Sequence, residues 1–126
     1  MEENVVFFKC HHCGNLIGLI DGNPKNIVCC GENMTPLTAN TTDAATEKHL
    51  PVYEKVGDEL IVKVGEVTHP MDEDHYIMWI AQVSENKTTR VRLHPKEGTK
   101  VEFDYLPNST IYTYCNKHGL WKADVK

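Results

Sequence analysis

No apolar run in this 126-residue chain approaches the roughly 20 residues that a membrane-spanning helix requires, so no membrane partner is expected. Basic charge is not in excess either: 13 Lys and Arg against 18 Asp and Glu give a net charge of −5. Phosphate backbones are held by clustered Lys and Arg, which argues against a nucleic-acid partner. Absent, too, are internal repeats and any stretch of ten residues with helical periodicity. The start, Met1-Glu2-Glu3-Asn4, is acidic and lacks the basic lead and apolar stretch of a signal peptide. The expectation is a cytoplasmic protein, in a compartment where thiols stay reduced. Cysteine is scarce, at five residues, and under reducing conditions these point to metal rather than to disulfides.

What is present fits a small module attached to a domain of about a hundred residues. Cys10, Cys13, Cys29 and Cys30 all lie in the first quarter of the chain. Short β-prone runs occur at 5–9, 16–20 and 26–28, and the turn-forming Asp21-Gly22-Asn23-Pro24 separates the last two. A segment this small cannot bury a sufficient core, and below about 40 residues a metal staple is the usual remedy. Residues 35–46 shift to Thr, Ala, Asn and Pro and read as a linker. Beyond them, period-two patterns recur. Leu60, Val62 and Val64 form one face, Ile77, Trp79, Ala81 and Val83 another, and Thr89, Val91 and Leu93 a third. Val101, Phe103 and Tyr105 form a further face, as do Ile111, Thr113 and Cys115. Turn signals about every ten residues predict an antiparallel sandwich or barrel.

The first cysteine set reads Cys-x-x-Cys, a gap, then Cys-Cys. Four thiolates suit zinc or a single iron, both of which accept tetrahedral sulfur. Two Cys-x-x-Cys knuckles would let backbone N–H groups point at all the sulfurs. An adjacent pair cannot reproduce that, so a distorted tetrahedron is expected. His11 and His12, inside the first knuckle, are taken as solvated.

The second set is dispersed: His49 before Leu50-Pro51, His69 before Pro70-Met71, His75 after Asp72-Glu73-Asp74, then Cys115 and His118. Cys115 is far from the other thiols, in Tyr-Cys-Asn-Lys-His-Gly at 114–119. Four histidines and one cysteine exceed the four ligands at which zinc settles. Five N and S donors leave one octahedral position free, which suits iron and small-molecule chemistry. His94 has no such companions and is taken as structural.

Several of these motifs, in this order, resemble superoxide reductase. They are Glu-Lys-His-x-Pro, Val-Gly-x-Val-x-His-Pro-Met with a second histidine six residues after the first, and Tyr-Cys-Asn-x-His-Gly-x-Trp-Lys. Cys-x-x-Cys-Gly-Asn and Cys-Cys-Gly-Glu-x-Met resemble the desulforedoxin-type module of its two-iron form, desulfoferrodoxin. One departure is Asn23-Pro24-Lys25, where family members often carry glycines.

The resemblance implies a mainly β protein. A four-cysteine iron module at 1–36 precedes an immunoglobulin-like antiparallel β-sandwich at 37–126. It implies two mononuclear irons. One is held by Cys10, Cys13, Cys29 and Cys30, and the catalytic one by His49, His69, His75 and His118 with Cys115 axial. It implies one-electron reduction of superoxide to hydrogen peroxide, a rubredoxin-like electron donor and a homodimer. Lys48 would attract the anion. Glu47 matches the carboxylate that fills the open position in the oxidised enzyme, and Lys117 would add positive field. Two alternatives stand beside this: a cupin-type iron oxygenase, which would not use Cys115, and a non-enzymatic zinc-ribbon and sandwich module that binds a partner protein.

Overall fold

The computed structural model describes residues 5–41, 46–65 and 69–126, with Thr46 and Glu47 described by backbone only. The chain divides into two compact units, Met1–Thr38 and Ala39–Lys126.

In the first unit, β1 (Val6–Lys9) pairs antiparallel with β2 (Leu16–Leu19) and with β5 (Thr35–Pro36), while β3 (Val28–Cys29) and β4 (Glu32–Asn33) form a hairpin. Buried Phe8, Cys10 and Met34 make the core, with Val6, Leu19, Ile27 and Cys29 against it. Even with Val5 and Phe7, which are also buried, five side chains, one of them a thiol, are too few to hold a fold alone. The expected strand at 26–28 is displaced. Asn23 accepts the N–H of Lys25 at 2.9 Å and caps a 3₁₀ turn over Pro24–Asn26, so the strand begins at Val28. The stretch read as a linker also begins later, because Thr35 and Pro36 pair with Lys9 and Phe8.

Among the described residues, the second unit has one helical turn, α1 (Thr46–His49), followed by seven strands. These are β6 (Pro51–Val56), β7 (Glu59–Val64), β8 (Ile77–Val83), β9 (Thr88–Arg92), β10 (Val101–Asp104), β11 (Thr110–Cys115) and β12 (Gly119–Asp124). One sheet has the order β10-β7-β6, the other β12-β11-β8-β9, and every pairing is antiparallel. The inner faces meet in one core that includes Leu60, Val62 and Val64 from β7, Ile80 from β8, Phe103 from β10 and Ile111 from β11. This is the immunoglobulin-like sandwich, three strands on four. Leu60, Ile80 and Ile111 are fully buried, and truncating any of them to Ala would cost about 2–5 kcal/mol.

One expected face is split. The period-two pattern groups Ile77 with Trp79, Ala81 and Val83, but the β8–β11 register shifts between Tyr114 and Cys115. Tyr114 lies opposite Trp79 and Cys115 opposite Ile77, so Met78 is the extra residue of a bulge. Ile77 therefore joins Ile80 in the core, whereas Trp79 stacks on Tyr114 on the other face. β6 and β12 carry no clear alternation and were not anticipated. Pro51, at the start of β6, pairs with Val64 at the end of β7, and Cys115, at the end of β11, pairs with both Ile77 and Gly119. These strand ends lie at one end of the sandwich, where its loops carry the histidines.

Candidate metal centres

Four thiols converge in the first unit. The knuckle from Cys10 to Asn15 is closed by Gly14 N–H donating to Cys10 C=O at 3.0 Å and Cys10 N–H to Asn15 C=O at 2.8 Å. The adjacent cysteines are accommodated by a hairpin turn instead. Cys29 pairs with Glu32, and the two residues between them, Cys30 and Gly31, have φ of 51° and 78°. Two successive left-handed residues define a type I′ turn, unusual for cysteine, and it turns Cys30 back beside Cys29. The donor sulfurs of Cys10, Cys13, Cys29 and Cys30 all lie within 4.8 Å of one another. Cys13 and Cys29 are 3.6 Å apart, and Asn15 Nδ2 approaches Cys29 Sγ at 3.8 Å. Backbone N–H groups of Cys13 and His12 bring the Cys10 thiol down to about 6. Hydrogen bonding with the neighbouring sulfurs pushes Cys29 up, and Cys30 to about 12. Without metal, the Cys10 proton leaves readily and those of Cys29 and Cys30 do not; a cation that neutralises the accumulating charge fits such a set. His11 and His12 are exposed, and His12 Nε2 lies 3.1 Å from a Glu32 carboxylate oxygen rather than at the sulfurs.

The second unit brings His49, His69, His75, Cys115 and His118 together, their donor atoms within 4.8 Å of one another. The imidazoles form a closed ring. Centroids of His49 and His69 are 4.6 Å apart, His69 and His75 4.9 Å, His75 and His118 5.0 Å, and His118 and His49 4.7 Å, each pair edge to face. Across the ring, His49 and His75 are 6.5 Å apart. Nε2 of His49 faces Nδ1 of His118 at 2.9 Å, and the Cys115 sulfur lies 3.8 Å from that same Nδ1.

Each donor is aimed by its surroundings. His49 ends α1, and its carbonyl accepts the Thr113 hydroxyl at 3.2 Å. Nδ1 of His69 faces the Pro70 carbonyl at 2.7 Å; a carbonyl can only accept, so Nδ1 carries the proton and Nε2 keeps its lone pair. His75 closes the acidic turn through two backbone hydrogen bonds with Asp72, of 3.0 and 3.2 Å. The Trp121 indole N–H donates to the His118 carbonyl at 3.0 Å. Thr113 and Trp121 escaped the sequence reading as supports. Thr113 sits two residues before Cys115, and Trp121 lies inside the quoted C-terminal motif.

Buried Nε2 atoms of His69 and His75 have no hydrogen-bond partner. Leaving such a group unpaired costs about 1–3 kcal/mol, and a metal would satisfy both. Burial lowers His69 to about 4 and also lowers His75, so both are neutral near pH 7 and ready to ligate. Burial raises the Cys115 thiol, while the N–H groups of Lys117 and His118 favour its thiolate. Four imidazoles and a thiolate fit iron better than tetrahedral zinc. Lys48 is exposed on α1 beside His49, Lys117 is exposed in the turn between β11 and β12, and the Glu47 side chain lies outside the described residues. His94 is exposed and outside both clusters.

A β protein with a four-thiolate site and a separate site of four imidazoles and one thiolate is, by class, a mononuclear non-haem iron protein with two centres. The desulfoferrodoxin family model matches residues 41–124. The desulfoferrodoxin of Syntrophotalea carbinolica is 42% identical over 98% of this chain and 99% of its own length. The superoxide reductase of Thermococcus kodakarensis is 33% identical, covering 73% of this chain and 97% of its own. The crystal structure of the superoxide reductase from Treponema pallidum matches with a TM-score of 0.76 and 32% identity, over 97% of this chain and 100% of that one. The chain belongs to the desulfoferrodoxin family.

Proposed function

We propose that the chain is a superoxide reductase, converting superoxide to hydrogen peroxide with one electron and two protons. The observation that carries this is the ring of four imidazoles with two unpartnered buried nitrogens and a buried thiol among them. His49, His69, His75, His118 and Cys115 would hold one iron, and Cys10, Cys13, Cys29 and Cys30 the other. Iron bound at the histidine site supplies the electron.

The protein's own residues set the conditions for that transfer. The Cys115 thiolate would be a strong donor to the iron; burial raises its thiol, and the N–H groups of Lys117 and His118 work against that rise in favour of the charged form. Lys48 presents its charge beside His49, where it would draw in an anion despite the net charge of −5. Lys117 adds to that field, and its charge bears on both His75 and Cys115. Glu47, on the same helical turn as Lys48, is the proposed carboxylate that would join the five donors when an iron held there is oxidised.

The division into an iron module at 1–36 and a catalytic domain at 37–126 is part of the same reading, and the compact units that meet at 38 and 39 support it. A rubredoxin-like donor and a homodimer complete it on family resemblance, together with the cytoplasmic location that the sequence leads one to expect. Among the described residues no helix is long and apolar enough to cross a membrane. A cupin-type oxygenase is disfavoured because Cys115 lies within the donor cluster and the two sheets form a sandwich.

An anaerobic metal count with visible spectra tests the proposal. Two irons per chain are expected, with a sulfur-to-iron band from each site in the oxidised protein. Zinc with the four thiols and no metal at the histidines would defeat it and favour the non-enzymatic module.

A further inference from the structure

We infer that Asn116 is a positioning residue that holds His75 in the imidazole ring by gripping the chain on both sides of it. The inference rests on the reading of the five donors as one metal site.

Asn116 follows Cys115 directly and is half-buried. Three of its polar groups reach the His75 segment. Its backbone N–H donates to the Tyr76 carbonyl at 3.2 Å, its Oδ1 accepts the Tyr76 N–H at 2.9 Å, and its Nδ2 donates to the Asp74 carbonyl at 3.0 Å. Asp74 and Tyr76 are the residues immediately before and after His75.

The need for a side chain here follows from the strands. The β8–β11 ladder runs through a bulge and stops at Cys115 paired with Ile77. The chain must then turn within three residues to start β12 at Gly119, opposite Cys115. Past that point a single backbone hydrogen bond, Asn116 N–H to the Tyr76 carbonyl, still joins the two segments. A carboxamide offers a C=O and an N–H₂ at nearly the spacing of a peptide group. Asn116 thereby extends the ladder by one further step, from the residue next to the thiolate to the residues around an imidazole.

His75 depends on this more than its neighbours do. His69 is oriented through its own ring nitrogen and Pro70, and His118 has its carbonyl fixed by Trp121. Among the described residues, the hydrogen bonds that place His75 are made by its backbone and the adjoining peptides, to Asp72 and to Asn116. Removing the amide leaves one of three contacts from Asn116. The ring of His75 would then swing relative to the Cys115 sulfur without any donor being deleted. Losing an outer partner of this kind typically costs a site about 10–100-fold in metal affinity.

The test titrates ferrous iron anaerobically into the full-length metal-free chain against a competing chelator, then reads the EPR signal of each oxidised site. For Asn116→Ala, we expect about 10–100-fold weaker binding at the histidine site. The EPR symmetry of that site should change and the four-thiolate signal stay as in the parent. Parent-like affinity with an unchanged signal would overturn the inference, as would equal weakening at both sites, which marks general loosening. If Asn116→Ala does not fold, Asn116→Asp keeps the acceptor for Tyr76 and sets an oxygen against the Asp74 carbonyl. The same two readings then decide the matter. A parent chain that binds no iron at the histidines would instead defeat the five-donor reading itself.

Discussion

The indole of Trp121 lies against the imidazole of His49, with ring centroids 5.0 Å apart and planes at 21°, while its N–H donates to the His118 carbonyl at 3.0 Å. One side chain thus fixes two neighbouring members of the donor ring. Trp121→Phe keeps much of the packing and removes the hydrogen bond. Its second-site iron affinity should fall by about tenfold, while the four-thiolate spectrum stays unchanged. Chelator competition measures this, and equal affinities would assign Trp121 to the core alone.

Proton release should report the state of Cys115. Burial raises its thiol, so at pH 7 the metal-free site holds that proton, whereas His69 and His75, both lowered, hold none. Metal entry should therefore expel about one proton from these three residues, and affinity should rise with pH until the thiol itself titrates. Calorimetry in buffers of different ionisation enthalpy counts the proton. In Cys115→Ser the count should drop, because a hydroxyl is far less acidic than a thiol. An unchanged count would place the sulfur outside the site.

The buried His69 also makes the metal-free second unit acid-sensitive. Its folded value of about 4 lies below the ordinary value near 6.5, so between these pH values the unfolded chain binds a proton that the folded chain does not. Stability is complete above pH 6.5 and is lost as pH falls towards 4, by roughly 3 kcal/mol at most from this residue. Both tryptophans, Trp79 and Trp121, lie in this unit, so fluorescence-detected urea unfolding follows it alone. The midpoint should drop between pH 7 and pH 5, and drop less in His69→Gln. Equal shifts in the two proteins would contradict the assignment.

Lys48 should act on encounter rather than on the metal. Attraction between exposed charges is screened over about 10 Å at 0.1 M salt. The parent's second-order rate with superoxide should fall as salt rises, and the Lys48→Ala rate should be lower and flatter. Glu47→Ala should leave the encounter fast and alter the oxidised-state spectrum. Pulse radiolysis across a salt series separates these, and equal rates and slopes for parent and Lys48→Ala would make the lysine a bystander.

Donor residues were more legible in the sequence than the architecture that aims them. His, Cys and their spacing are chemistry that a one-dimensional reading can see, and the nine named donors fall into two clusters. The β8 face was misread because a bulge shifts the period-two count at Met78 without leaving a mark in the composition. β6 and β12 were missed for a related reason. Tyr53 is only half-buried in β6, and its hydroxyl serves the chain end by donating to the Asp124 carbonyl at 3.1 Å, so alternation is weak there. Asn116 and Trp121 stood inside a quoted motif, yet their duties depend on long-range contacts with Tyr76 and His49 that no local pattern contains.

The most direct test of the central claim is the product ratio when the pre-reduced protein meets superoxide anaerobically in less than one equivalent. Reduction yields one hydrogen peroxide for each superoxide consumed, with one electron drawn from the protein and no dioxygen formed. That ratio is the predicted result. One peroxide for every two superoxides, with dioxygen evolved and the protein still reduced at the end, would be dismutation and would contradict the account.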